Sequence, residues 1–306
     1  MTMSKNVDEV AALPGHRLYK DYLIPVFTQM HEDINDHMEK TKNFSSRETD
    51  VLICTFPKSG TNWINEIVGM MVKGRAEYSK SYKLVAMLER MSDVTSLSNL
   101  PSDSIRVLNT HLPFPDLPRK HVEGGYKIVH VVRNPKDVAV SYYNDTIKRK
   151  RCLPDGQVIT PPEWSEWLER YCRPPHKYSG WFNYEKGFES AKDIGALRSV
   201  FTIQYEHLKM NPLPILKNLA AYLGVDLAEH TLMAINDKCS FANMSTAGAR
   251  AKDNAIRQMS IDGSNFMFRK GIIGDWKNWF TVAQNETFDK IIETEMKDSS
   301  LRVVYE

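Results

Sequence analysis

Lys58-Ser59-Gly60-Thr61 places a cation, two hydroxyls and a glycine in four consecutive residues. That set suits an anion. The ammonium brings charge, the hydroxyls donate hydrogen bonds, and the glycine lets backbone N–H groups approach closely. Just upstream, Asp50-Val51-Leu52-Ile53-Cys54 is a short apolar run that reads as a buried strand. Just downstream, Ile64, Ile67, Val68 and Met71 recur at helical spacing. The set therefore lies in a strand–turn–helix junction. The first N–H groups of a helix have no internal partner and the helix dipole makes that end positive, so a phosphate or sulfate is the expected occupant.

A second junction comes after the strand Tyr126–Val132. Arg133 stands at its lip, Asn134 is placed to cap the next helix, Pro135 suits its first position, and Ser141 lies two turns in. A third cationic group, Arg269-Lys270-Gly271, comes after Phe268 near the other end of the chain. Two strand–turn–helix junctions in one sheet point to two anionic groups on one ligand. Taken singly, each has a plainer reading: an ordinary turn, a surface ion pair of Arg133 with Asp137, or a solvated basic turn. His111 falls just past the strand Ile105–Asn109, because Pro113 disfavours helix at Leu112. Open parallel sheets bind ligands at the carboxyl ends of their strands.

The pattern is not that of a magnesium-dependent nucleotide hydrolase. Lys58 opens the turn instead of closing it. The neighbouring strands end in Arg133 and Asn109, neither of which supplies the acid that holds magnesium. A nucleotide kinase or hydrolase is thus the weaker reading, and ATP turnover with magnesium would revive it.

The elements that must position these residues are legible as alternating strands and helices. A helix is expected over Val26–Lys40, strands at 51 and over Val200–Tyr205, helices over 212–223 and 228–238, and a last helix from Val282 to Lys297. That alternation predicts an α/β fold, a single domain over 15–306 with a central parallel sheet flanked by helices, preceded by a loose arm over 1–14. Ser245 to Asn265 reads as a mobile surface segment. The aromatic residues between 151 and 195 read as core.

Forty Lys and Arg against 38 Asp and Glu give a net charge of +2, which argues against nucleic acid as a partner. Four cysteines without a C-x-x-C pair argue against zinc and a disulfide framework and for a reduced compartment. The first 25 residues lack the apolar core of a signal peptide, and no run approaches a membrane span, so a cytoplasmic protein is expected.

Three stretches together resemble the cytosolic sulfotransferases: Thr55–Trp63, Arg133–Tyr143 and Arg269–Thr281. The family's versions run roughly T-Y-P-K-S-G-T-T-W, R-N-x-K-D-V-x-V-S-Y-Y and R-K-G-x-x-G-D-W-K-x-x-F-T, and the resemblance extends from about Gly15 to the end. It implies transfer of a sulfuryl group from 3′-phosphoadenosine 5′-phosphosulfate (PAPS) to a hydroxyl or amine of a small molecule, without metal. The first junction then becomes a P-loop-like phosphosulfate site. By resemblance, Lys58, Ser59, Gly60, Thr61 and Asn62 cradle the phosphosulfate and Trp63 stacks on adenine. Arg133, Ser141, Arg269, Lys270 and Gly271 hold the 3′-phosphate. Tyr205, Cys239, Ser240, Phe241 and Phe268 border the adenosine. His111 matches the catalytic base, with Lys58 stabilising the leaving phosphate and Ser141 beside it.

The acceptor side is expected to use Asn109, Thr110, His111, Tyr22, Phe56 and Asp145, with Tyr19 and Phe114 as further aromatic walls. Asn109 stands where the family has lysine, which leaves room for a protein that binds PAPS or its product PAP with little transfer. Asn62 replaces a frequent threonine. Asp145 replaces an aromatic residue, and its carboxylate is expected to make that wall polar or to favour a cationic or hydroxyl-rich acceptor. Lys277, Thr281, Val282 and Glu286 match the family's short dimer motif and imply a homodimer through a small contact.

Overall fold

In the strand Val51–Thr55 every residue is buried, because helices cover both faces of the sheet that it centres. The computed structural model describes residues 15–26, 33–78, 87–91, 105–149, 160–251 (backbone only at 247–251), 259–263 and 267–306. In chain order these form β1 (His16–Tyr19), β2 (Tyr22–Pro25), α1 (Ile34–Lys42), β3 (Val51–Thr55), α2 (Thr61–Lys73), β4 (Val107–Thr110), α3 (Arg119–Glu123), β5 (Lys127–Val132), α4 (Pro135–Lys148), α5 (Trp164–Tyr171), α6 (Gly180–Asp193), β6 (Val200–Gln204), α7 (Tyr205–Met210), α8 (Pro212–Leu223), α9 (Glu229–Lys238), α10 (Phe241–Ala251) and α11 (Val282–Glu295). Strands β4-β3-β5-β6 make one parallel sheet in that order, and β1 pairs antiparallel with β2 apart from it.

Side chains alternate across the sheet with the strand period of two. Leu52, Cys54, Leu108, Ile128 and Val132 enter one core with Met38, Tyr184 and Phe188. Val51, Ile53, Val129, Val131 and Ile203 enter the other with Ile64, Ile67, Leu216 and Leu219. Each fully buried aliphatic side chain contributes roughly 1.5–3 kcal/mol, so the two-sided burial of β3 makes it the strand most costly to displace.

The parallel α/β fold inferred from sequence is the fold observed. Several boundaries moved. Helix α1 runs from Ile34, after Asp33, whose carboxylate accepts the N–H of Asn35 at 2.8 Å, to Lys42; of the helix expected over Val26–Lys40, residues 27–32 lie outside the described residues. Tyr205 opens α7 and is not the last residue of β6. The segment from Ser245, expected as a mobile surface stretch, begins inside α10; its remainder is described only at 259–263. Arm 1–14 lies outside the described residues.

A buried ion pair ties β3 to β4 at their amino ends. Arg106 donates from Nε to Asp50 Oδ1 at 2.6 Å and from Nη2 to Oδ2 at 2.5 Å, with both residues almost fully buried. The Asp50→Ala variant would remove the carboxylate that balances this buried guanidinium, and a loss of about 3–5 kcal/mol is expected. Urea unfolding checks this: the midpoint should fall with an unchanged slope.

Candidate active site

The strand register aligns the chemical residues. In β3 and β4, Cys54 faces Thr110, so Thr55 and the turn after it stand beside His111. In β3 and β5, Thr55 faces Val131, which brings Arg133 level with the same turn. In β5 and β6, Val132 faces Gln204, so Arg133 and Tyr205 become neighbours, and the guanidinium lies 4.3 Å from the tyrosine ring centre. A cavity of about 690 Å³ opens over these strand ends. Its lining includes Lys58, Gly60, Thr61, Asn62, Trp63, His111, Arg133, Ser141, Tyr205, Cys239, Phe241, Phe268, Arg269, Lys270 and Gly271, residues drawn from all of the sequence stretches singled out for chemistry.

The turn before α2 is shaped for an anion. Lys58 has a φ of +72°, a conformation that costs a non-glycine residue on the order of 1–2 kcal/mol. Its carbonyl accepts a hydrogen bond from Arg133 Nη1 at 3.0 Å, which holds the turn against the second junction. Gly60 comes next but one, with φ of +101°, and a Cβ there would come within 2.9 Å of the Tyr205 ring. Helix α2 starts without a side-chain cap. The Ser59 hydroxyl is wholly buried and has no hydrogen-bond partner, and the same holds for Arg133 Nε. Buried donors left unmatched cost about 1–3 kcal/mol each, and an anion in the turn would relieve them.

His111 is fixed from both sides. Its Nδ1 lies 2.7 Å from the carbonyl oxygen of Thr55. A carbonyl only accepts, so Nδ1 carries the proton and Nε2 carries the lone pair, the tautomer a general base needs. Its backbone N–H donates to Glu89 Oε1 at 2.8 Å, and Thr110 Oγ1 donates to Glu89 Oε2 at 2.8 Å. Glu89 is buried, in a Ser-rich polar stretch that from sequence shows only short helical patches, and nothing in the sequence marked it out. A Tyr178 ring meets the imidazole edge-on at 5.5 Å.

The basic turn 269–271 is held by two buried carboxylates. Asp275 accepts from Arg269 and, at 2.8 Å, from Lys270 Nζ. Burial alone would raise the Asp275 carboxyl, but the hydrogen bonds from Lys270 and Arg269 hold it at about 2. Asp137 accepts the N–H of Gly274 at 2.8 Å and of Trp276 at 3.0 Å, which docks the whole segment on α4. The surface pair of Arg133 with Asp137 considered from sequence therefore does not form. Asp137 is buried and already committed to backbone donors. Gly271 approaches Phe241 so closely that a Cβ would fall 2.3 Å from the ring.

Several expected acceptor residues stand elsewhere. Asn109 and Thr110 are completely buried in β4 and do not line the cavity. Phe56 is core beside Tyr184, and Tyr22 donates from its hydroxyl to Asp116 at 2.9 Å. Tyr19 and Phe114 also pack in the interior beside Tyr22 and Phe188. Ser240 lies outside the lining, beside the N–H of Asn243 at 3.3 Å. Asp145 does reach the cavity, but its carboxylate is taken. Lys58 Nζ donates to it at 3.0 Å and Arg149 grips it with Nε at 3.2 Å and Nη2 at 3.1 Å. Burial works to raise this carboxyl, yet Lys58 and Arg149 hold it well below the usual carboxylate range. It is thus not the open anionic wall that a cationic acceptor would need. Arg90 and Lys177, which no sequence signal picked out, line the same cavity, as do Lys148 and Arg149, whose basic cluster reads from sequence as a solvated helix end.

A parallel α/β sheet with an anion cradle and a histidine at its strand ends defines a group-transfer or nucleotide-binding protein. Among the described residues no cluster of His, Cys, Asp and Glu could hold a metal ion. The sulfotransferase domain profile matches residues 48–300, and the chain belongs to the sulfotransferase family. Sulfotransferase 1B1 of the dog is 36% identical over 285 residues, covering 87% of this chain and 90% of that protein. Human sulfotransferase 1C2 is 31% identical over 281 residues, covering 89% and 91%. Among solved structures, mouse sulfotransferase SULT7A1 complexed with PAP superposes with a TM-score of 0.73 at 26% identity, covering 94% of this chain and 95% of that one. Retinol dehydratase in complex with retinol and PAP shares the fold, with a TM-score of 0.77 at 19% identity and coverage of 92% and 89%.

The Asp275 carboxyl is depressed from an ordinary value of 3.8, so its stabilising contribution is complete above pH about 4 and disappears as pH falls towards about 2. The Asp275→Asn variant should be less stable than the parent at neutral pH, and the gap should narrow below pH 4. Denaturant midpoints measured across that window check it.

Proposed function

We propose that this sulfotransferase, which draws its sulfuryl group from PAPS, transfers it to a hydroxyl or amine of a small molecule with His111 as general base and Lys58 as the cation at the leaving phosphate. The observation that carries the reading is the placement of His111, locked in the tautomer with its lone pair on Nε2, in one cavity with Lys58 and Arg133, whose Nε is buried without a partner. Arg133 Nε fits an anionic end of PAPS; Ser59 Oγ, the other unmatched donor, is buried in the turn and does not line the cavity.

Lys58, Ser59, Gly60, Thr61 and Asn62 would hold the phosphosulfate, with Trp63 and Phe241 beside the adenine. Arg133, Ser141, Arg269, Lys270 and the N–H groups near Gly271 would hold the 3′-phosphate. PAPS supplies the sulfuryl group. On the protein's side, His111 Nε2 takes the acceptor's proton as its oxygen attacks sulfur, and Lys58 meets the charge that grows on the departing oxygen. Glu89 keeps the imidazole in place through its backbone. Lys58 Nζ rests on Asp145 in the structure, so the donor must draw it away, and Asp145 competes with the donor for the same ammonium.

A cytoplasmic location is supported by the spacing of the four cysteines, which suits a reduced compartment. No helix among the described residues is long and apolar enough to cross a membrane. A homodimer through Lys277, Thr281, Val282 and Glu286 has one supporting feature: Val282, at the start of α11, is 76% exposed. Thr281 closes a capping box with Gln284 and so fixes the backbone of that patch.

Two measurements test this. His111→Ala should lower transfer from labelled PAPS by at least ~100-fold, the usual range for loss of a general base, while PAP binding by calorimetry stays within about twofold. Intact turnover in the variant would remove His111 from this role. Val282→Glu should shift the protein to monomer in sedimentation velocity at micromolar concentration without a change in its thermal midpoint.

A further inference from the structure

The cavity holds far more positive charge than its donor half needs. Among the described lining residues, nine are Lys or Arg and one, Asp145, is acidic. Five of the nine belong with the two anion junctions: Lys58, Arg133, Arg269, Lys270 and Lys209, whose ammonium lies 5.9 Å from the Trp63 ring. Four remain, Arg90, Lys148, Arg149 and Lys177, and all four are half-buried.

Three of them adjoin residues that contact the reactive pair, and the fourth lines the same cavity. Arg90 directly follows Glu89, the carboxylate that holds the backbone of His111. Lys177 directly precedes Tyr178, the ring against the His111 imidazole, and its ammonium lies 5.2 Å from the Tyr142 ring. Arg149 joins Lys58 through their shared partner Asp145. Lys148 is the last residue of α4, and its carbonyl accepts the N–H of Ile261 at 2.9 Å. Among the described lining residues the one carboxylate is shared by two cations and is outnumbered by the nine Lys and Arg. Half-buried charges interact with a ligand in a medium less polar than water, where a charge pair is worth several times its value in bulk solvent.

Resting on the sulfotransferase reading above, we propose that Arg90, Lys148, Arg149 and Lys177 form an acceptor subsite for an anion. The acceptor class is a phenol or alcohol that carries a carboxylate or similar anionic group at the end away from the hydroxyl. An amine-bearing acceptor is disfavoured, because Asp145 has no capacity left to receive it. The subsite acts on specificity: it orients the acceptor's far end and leaves the hydroxyl towards His111.

Three phenols of similar shape test this: 4-hydroxyphenylacetate, 4-hydroxyphenylacetamide and tyramine, which are anionic, neutral and cationic at neutral pH. The expected order of kcat/KM is carboxylate, then amide, then ammonium, with about tenfold or more between the first two, as half-buried cations allow. The Arg90→Gln, Lys177→Gln double variant should shrink the carboxylate-to-amide ratio towards one. Calorimetric binding of the same three compounds to the PAP-loaded enzyme gives the order without turnover, and in the parent enzyme it stands whatever the variant does. A flat series, or tyramine first, in both assays overturns the anionic subsite while leaving sulfotransfer intact. Failure of PAP itself to bind would overturn the functional reading on which the subsite rests.

Discussion

The hydrogen-bond ladder of β3 with β4 and β5 is the constraint on which the site depends. A parallel register pins neighbouring strands residue against residue, and a shift of one position would turn every side chain to the opposite face. Two-sided burial of β3 makes such a shift prohibitively costly. Because the ladder is fixed, the residues just past each strand end meet in one row: His111 after β4, Lys58 after β3, Arg133 after β5 and Tyr205 after β6. None of these contacts requires a long flexible loop. The His111 imidazole is oriented by a carbonyl of the adjoining strand, so its geometry is inherited from the sheet.

Buried carboxylates do the second part of the arranging. Glu89 binds the backbone and hydroxyl around His111, Asp137 docks the segment 274–276 on α4, and Asp275 gathers Arg269 and Lys270. Each carboxylate sits away from water, where an unpaired charge would be expensive, and each is matched by donors that must therefore stay in place. Asp145 belongs to the same group with a difference. Its partners, Lys58 and Arg149, face a cavity, so the pair can be rearranged when an anion enters. The cavity wall around Asp145 is lined by arginines and lysines, with Asp145 as counter-ion to Lys58 and Arg149.

Local signals in the chain were enough for the sheet, the anion turns and the histidine. Strands show as apolar runs of β-branched residues, and Lys58-Ser59-Gly60-Thr61 and Arg133-Asn134-Pro135 are contiguous, so short-range rules suffice to recognise them. The match to the sulfotransferase family extends over almost the whole domain for the same reason: its motifs are compact and lie at strand ends.

Which side chains line the cavity was decided only by the tertiary structure. Asn109 and Thr110 stand next to His111 in the chain, yet the strand turns them into the interior. Tyr22 and Phe56 are aromatic and near the motifs, yet packing against Asp116 and Tyr184 removes them from the cavity. Conversely, Arg90 and Lys177 come from separate segments without any motif and enter the cavity because Glu89 and Tyr178 are anchored to His111. Sequence by itself determined the element types and the chemistry at the strand ends, because those depend on neighbours within a few residues. The charge of the cavity wall and the partners of Asp145 depend on residues brought together from far along the chain, and only the folded packing of helices on the sheet could choose them.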